Sequence, residues 1–168
     1  MKSRVVLFWF RRDLRLEDNV GLQQALSSDI PVLPIFIFDT DILQRLANTY
    51  DRRVDYIHQA LTEMNITLQN HQSALHTYHG QPLEVLRKII EFYDVAAIYC
   101  NRDYEPQAIS RDIAVKVFSE ENGIEFYDFK DQVIFEKSEI VKADGTPYMV
   151  YTPYAKKVEK RIKAELIG

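Results

Sequence analysis

Thiols are almost absent: Cys100 stands alone in 168 residues, so neither an internal disulfide nor a multi-thiolate metal site can form, which favours a reducing compartment. Glycine is scarce as well, at 5 residues, and neither G-x-G-x-x-G nor G-x-x-x-x-G-K-[ST] occurs. A pyrophosphate site of either familiar kind needs such glycines to let backbone amides approach the phosphates, so both are excluded. No G-x-S-x-G elbow is present and no histidine lies near the cysteine in sequence, which leaves hydrolytic nucleophile chemistry without support. Positive charge is not in excess either, with 21 basic against 25 acidic side chains, so the chain lacks the pervasive field that holds a nucleic-acid backbone. The apolar run near the start is too short for a membrane span and has no small-residue cleavage site, so it is expected to be a first strand in a cytoplasmic protein with no membrane partner.

What is present is an alternation. Arg4 to Phe10 (RVVLFWF) and Val32 to Phe38 are runs of β-branched and aromatic residues suited to strands buried on both faces. Between them, Asp18 is expected to cap a short helix carrying Gly21, Leu22, Ala25 and Leu26. Asp39 to Asp51 has no clean period and reads as a connection with a short helix inside it. Val54, Ile57, Leu61, Met64 and Leu68 then step by three and four, the spacing of one helical face. Ala74 to Tyr78 and Val95 to Tyr99 are further strands, separated by a helix opening at Pro82 with Leu83, Leu86, Ile90 and Tyr93 on one face. A longer helix from Pro106 is expected to align Ile109, Ile113 and Val117, with Ala114 and Phe118 beside them, before Asn122-Gly123 ends it and Ile124 to Phe129 forms a fifth strand.

Five apolar strands separated by amphipathic helices predict an α/β domain: a Rossmann-like, doubly wound, five-stranded parallel sheet flanked by helices in three α/β/α layers. The rhythm breaks after residue 130. Lys130 to Pro153 shows no helical period, Asp144-Gly145 marks a turn between extended pieces, and Tyr154 to Leu166 reads as a basic helix with almost no apolar face. The expected division is therefore a 1–130 domain and a 131–168 segment that begins a connector, as in a chain cut from something longer.

Open α/β sheets bind ligands beyond the carboxyl ends of their strands, where strand order reverses. That rule selects Arg11, Arg12 and Asp13 after the first strand, Asp39 after the second and the stretch Cys100 to Glu105 after the fourth, with Phe10, Phe36 and Phe38 as aromatic neighbours. The same arginines and Asp13, with Arg15, equally suit an ion-pair cluster that merely closes the first strand. His76 and His79 fall on a predicted strand at a spacing that points them to opposite faces, and no metal site is expected.

Three segments together carry a resemblance. LFWFRRDLRLEDN (Leu7 to Asn19), NRDYEPQAISRD (Asn101 to Asp112) and GTPYMVYTPYAKKV (Gly145 to Val158) resemble, in order and interval, the signatures of the amino-terminal domain of the DNA photolyase and cryptochrome family. The resemblance implies an α/β domain that holds a light-harvesting antenna chromophore and is followed by a helical domain that binds FAD and damaged DNA. In photolyases of this family, excited reduced FAD passes an electron to a pyrimidine dimer, the cyclobutane ring splits and the electron returns. On this reading the full-length protein is a carbon–carbon lyase whose FAD and DNA lie in the second domain, beyond Gly168. The present chain holds no catalytic residue and does not repair DNA alone, although it can self-associate. A cryptochrome, signalling without repair, is the alternative.

The resemblance also assigns a chromophore site to Phe10, Arg11, Phe36, Ile37, Phe38, Asp39, Arg53, Asp103 and Glu105. In folate-using members the loop after the fourth strand reads Tyr-Glu-Val-Asn-Glu and its Asn-Glu pair holds the pterin. Here Gln107-Ala108 stands at that place. A deazaflavin or flavin is therefore expected in preference to methenyltetrahydrofolate, with Tyr151 and Tyr154 packing between domains.

Overall fold

The computed structural model describes residues 1–45, 51–136 and 138–166, which form two units, 1–132 and 133–168. In the first, the order is β1 (Ser3–Phe10), α1 (Val20–Leu26), β2 (Val32–Asp39), α2 (Thr40–Leu43), α3 (Arg52–Asn70), β3 (His76–Gly80), α4 (Pro82–Phe92), β4 (Tyr93–Asn101), α5 (Pro106–Glu121) and β5 (Glu125–Phe129). All strand pairs are parallel and the sheet runs β3-β2-β1-β4-β5, the doubly wound order expected. No helix of the described residues is long and apolar enough to cross a membrane.

The central strand is buried from Val5 to Phe10 because both of its faces are covered. Val5, Leu7 and Trp9 join Ile35, Ile37 and Ile98 against α4 and α5, while Phe8 and Phe10 join Phe36 against Leu22 and Ala25 of α1 and Leu61 and Met64 of α3. Each large apolar side chain so buried contributes roughly 1.5–3 kcal/mol.

Several local expectations are corrected. Asn19, not Asp18, caps α1, its side chain accepting the Leu22 amide at 3.0 Å, while Asp18 takes the left-handed turn before it (φ 50°). The third strand lies two residues later than expected, since Asn65 receives the Leu75 amide and holds the chain in a connection up to that point. Tyr93 opens β4 instead of closing α4, whose buried face is Val85, Leu86 and Ile89. On α5 the buried side is Ala108, Val115, Phe118 and Ser119, and Ile109, Ile113 and Val117 face outward. Apolar residues stand on both sides of α5, so the isoleucine spacing alone does not set which side is buried. Gly123 ends α5 at φ 67°, a left-handed position natural to glycine.

The expected connection through Asp51 is described except at residues 46–50: Asp39 caps α2 by accepting the Asp41 amide, and Asp51 caps α3 by accepting that of Arg53. In the second unit, α6 (Tyr151–Leu166) starts three residues earlier than expected. It does have an inner side, because Ala155, Val158, Arg161 and Ile162 are half-buried. Asp144-Gly145 forms the anticipated turn, closed by hydrogen bonds between Lys142 and Thr146 and from Gly145 to Lys142, but the described residues around it form no strand.

Candidate functional site

Strand order reverses between β1 and β4, and that crevice is filled by the protein itself. Asn101, at the end of β4 and 2% exposed, donates to Asp13 at 2.6 Å and Asn19 at 2.8 Å and accepts the Gly21 amide at 2.8 Å. Arg11 is held in the same layer: its guanidinium bonds both oxygens of Asp112 at 2.5 and 2.6 Å, donates to the Asn101 carbonyl, and lies 5.3 Å from the Trp9 ring. Arg111 covers the same ring at 5.0 Å and pairs with Asp112 at 3.1 Å. Arg15 closes the cluster on Asp131 at 2.7 Å. The structure thus places Arg11 in an ion-pair and hydrogen-bond network that ties the first two motifs together. Phe10 is fully buried and edge-to-face with Phe8 at 4.6 Å.

The accessible edge lies beside this plug. Phe10 pairs in register with Phe36, so β2 continues three residues past the end of β1, and Ile37, Phe38 and Asp39 overhang it. The pleat alternates their sides. Phe36 and Phe38 share a face, with ring centroids 4.9 Å apart, whereas Ile37 points into the opposite core layer. Phe38 is half-buried and stacks on His58 of α3 at 5.0 Å. With Leu61, Thr62, Asn65, Leu75 and Thr77 they line an open groove of about 240 Å³. Arg53, on the first turn of the same helix, is exposed and bonded to Asp51, whose carboxyl that hydrogen bond holds down to about 2. Asp39 spends one carboxylate oxygen on its cap.

Across β1, the loop after β4 presents a second polar edge. Neighbouring strands are about 4.8 Å apart, so β2 and β4 stand about 10 Å from each other. Glu105 is exposed and pairs with Arg12 at 2.5 Å, while Asp103 is buried, with Arg12 and Arg111 at 3.9 and 4.0 Å. Of the nine residues assigned from sequence, Phe38 and Asp39 are therefore half-buried, Arg53 and Glu105 are exposed, and Phe36 and Asp103 are buried. His58 was not among the nine. Its signal was available, since it lies at helical spacing from Val54 and Leu61 on the edge of the apolar stripe.

The lone cysteine is sealed in the core. Burial pushes the Cys100 thiol up to about 12, leaving it protonated and inert. No group of three or more potential metal ligands occurs among the described residues.

Comparison with known proteins identifies the family. The family model described as DNA photolyase matches residues 6–167. A deoxyribodipyrimidine photo-lyase from Synechococcus is 34% identical over 151 residues, 90% of this chain and 31% of its own length. Among solved structures, a bacterial class III photolyase from Agrobacterium tumefaciens superposes with a TM-score of 0.82 at 29% identity, over 95% of this chain and 32% of that one. An archaeal photolyase from Sulfolobus tokodaii, described with two FAD molecules and the implication of a novel light-harvesting cofactor, superposes at 0.80 with 36% identity over 93% of this chain and 35% of that one. The chain thus spans about a third of the length of these relatives. The chain belongs to the DNA photolyase family.

Proposed function

We propose that this chain is the antenna-binding α/β domain of a light-dependent DNA photolyase, and that its chromophore is a flavin or deazaflavin held at the carboxyl edge of β2. The observation that carries the reading is the overhang of β2, which leaves the half-buried Phe38 ring stacked on His58 along an open groove, with Asp39 next in the strand and the exposed Arg53 on the first turn of the same helix as His58. A flat ring system with polar edges needs an apolar face and a few fixed polar groups, and this donor set supplies both. Support also comes from the 36% identical relative described with two FAD molecules, and from Gln107-Ala108 in place of a folate-holding Asn-Glu pair.

In this reading Phe38 and His58 provide the stacking surface, and Phe36 holds Phe38 edge-on. Arg53, whose guanidinium Asp51 holds by hydrogen bonds, donates to a carbonyl or phosphate edge of the ligand. Glu105, steadied by Arg12, supplies an acceptor on the far side of β1. When bound, the chromophore absorbs near-ultraviolet or blue light and passes excitation through space to the FAD of the adjoining helical domain. The protein's part is to fix the ring and keep water from one face. Electron transfer to a cyclobutane dimer, its splitting, and contact with damaged DNA belong to that second domain in the full-length protein, so this chain alone is inactive in repair.

The test is reconstitution. The purified chain titrated with flavin, deazaflavin and methenyltetrahydrofolate should retain one of the first two in competition with the folate. Preference for the folate would contradict the reading.

A further inference from the structure

Charge is distributed unevenly along the chain. Residues 1–132 carry 14 basic and 20 acidic side chains, and residues 133–168 carry 7 and 5, within the 21 and 25 of the whole. In the first unit, the arginines at the carboxyl edge of the sheet are matched by carboxylates. In the second, Lys156, Lys157, Lys160 and Lys163 of α6 are exposed and have no ion pair or hydrogen bond among the described residues.

Their spacing puts them together. Lys156, Lys160 and Lys163 step by four and three, which aligns them on one side of the helix over about 10 Å, and Lys157 flanks the row. The other side is anchored within its own unit: Arg161 donates to the Glu139 carbonyl at 2.5 Å and lies 5.5 Å from the Phe135 ring. A helix anchored by one side presents the other in a fixed direction. Three ammonium groups in the row, with Lys157 on one flank and the single exposed carboxylate of Glu159 on the other, leave this side of the helix net positive, and their mutual repulsion is relieved by a surface with a regular run of negative charge.

We propose that the lysine row of α6 is a contact for the phosphate backbone of duplex DNA, independent of sequence and of damage. The proposal rests on the photolyase reading for the choice of DNA as polyanion, and it adds to that reading a DNA contact in this chain as well as in the helical domain. An acidic protein face is a less suitable partner, because carboxylates on protein surfaces are interspersed with cations, whereas a duplex carries one negative charge per about 1.7 Å of its axis. Binding by this row alone is weak and salt-limited. Each phosphate contact contributes a slope of about −0.9 in log K against log salt, so three contacts give about −2.7.

The test uses the 168-residue chain with a short undamaged duplex. Amide shifts followed by NMR at about 20 mM salt should move for residues 151–163 and not along β1. Affinity should fall about 80-fold between about 20 and about 100 mM salt. Lys156→Gln, Lys160→Gln and Lys163→Gln combined should weaken binding at least about tenfold and flatten the slope to below about 1, while the three Lys→Arg changes preserve both. The same duplex carrying a thymine dimer should bind equally. Shifts elsewhere, or unchanged affinity in the Gln variant, overturn the proposal. So does a salt-sensitive dimer of the chain that the Gln variant abolishes while duplex has no effect, since the row then meets the acidic unit of a second copy. Chromophore retention by the same samples reads the photolyase assignment separately, because the Phe38 groove is lined by residues of the first unit.

Discussion

The Asn101 amide oxygen accepts the Gly21 amide at 2.8 Å, and a Cβ on residue 21 would stand 2.6 Å from that same oxygen and 3.0 Å from the Phe8 ring. Asn101 cannot retreat, since its nitrogen is held by Asp13 and Asn19. Gly21→Ala should therefore destabilise the domain by about 1–3 kcal/mol through overpacking. Asn101→Ala should cost more, stranding a buried amide and a carboxylate at about 1–3 kcal/mol each. Urea denaturation of both variants checks the order.

Arg11 and Asp112 form a buried ion pair whose removal leaves one charge without a partner. Asp112→Ala should cost about 3–5 kcal/mol. Because Arg11 and Arg111 both lie against Trp9, the only tryptophan, the loss should also alter its fluorescence before global unfolding. An unchanged emission spectrum in the folded variant would contradict the arrangement.

The phase of α5 gives a paired comparison. Val115→Ala, at a fully buried position, should cost about 1.5–3 kcal/mol, whereas Ile113→Ala, at 60% exposure, should stay within about 0.5 kcal/mol. The reverse order would restore the helix phase expected from the isoleucine spacing.

Two titrations have opposite signs. The Cys100 thiol is pushed up to about 12, so its contribution to stability is whole below the unfolded value of about 8.5 and is lost as pH rises toward 12. Thiol reagents at pH about 8.5 should label it no faster than the chain unfolds. Asp51, held at about 2 by its hydrogen bond to Arg53, contributes above about pH 4, and that contribution is lost as pH falls toward 2. In Arg53→Ala the Asp51 titration should move up toward its ordinary range, as NMR would show.

Fold class was legible because β1 and β2 are apolar runs rich in β-branched and aromatic residues, and prolines 82 and 106 open the helices between the later strands. The failures have specific causes. On α5, apolar residues lie on both sides, and isoleucine spacing could not tell that Val115 and Phe118 would be the ones buried. On the candidate site, residue type could not tell that Arg11 would be consumed by Asp112, 101 residues away, or that the pleat would turn Ile37 from Phe36 and Phe38. His58 lies at helical spacing on the edge of the α3 stripe, but its contact with Phe38 depends on where α3 lies over the sheet, which helical periodicity does not state.

The central claim is that a flat chromophore lies on Phe38 and His58 within reach of Arg53. The most direct measurement is an NMR-mapped titration of the chain with the flavin or deazaflavin that it retains. Shifts should concentrate at Phe38, Asp39, Arg53 and His58, and Arg53→Ala should weaken binding by about 1.5–3 kcal/mol, the range for a hydrogen bond to a charged group. Shifts confined to α1 or α4, or an Arg53→Ala variant that binds as tightly as the parent chain, would contradict it.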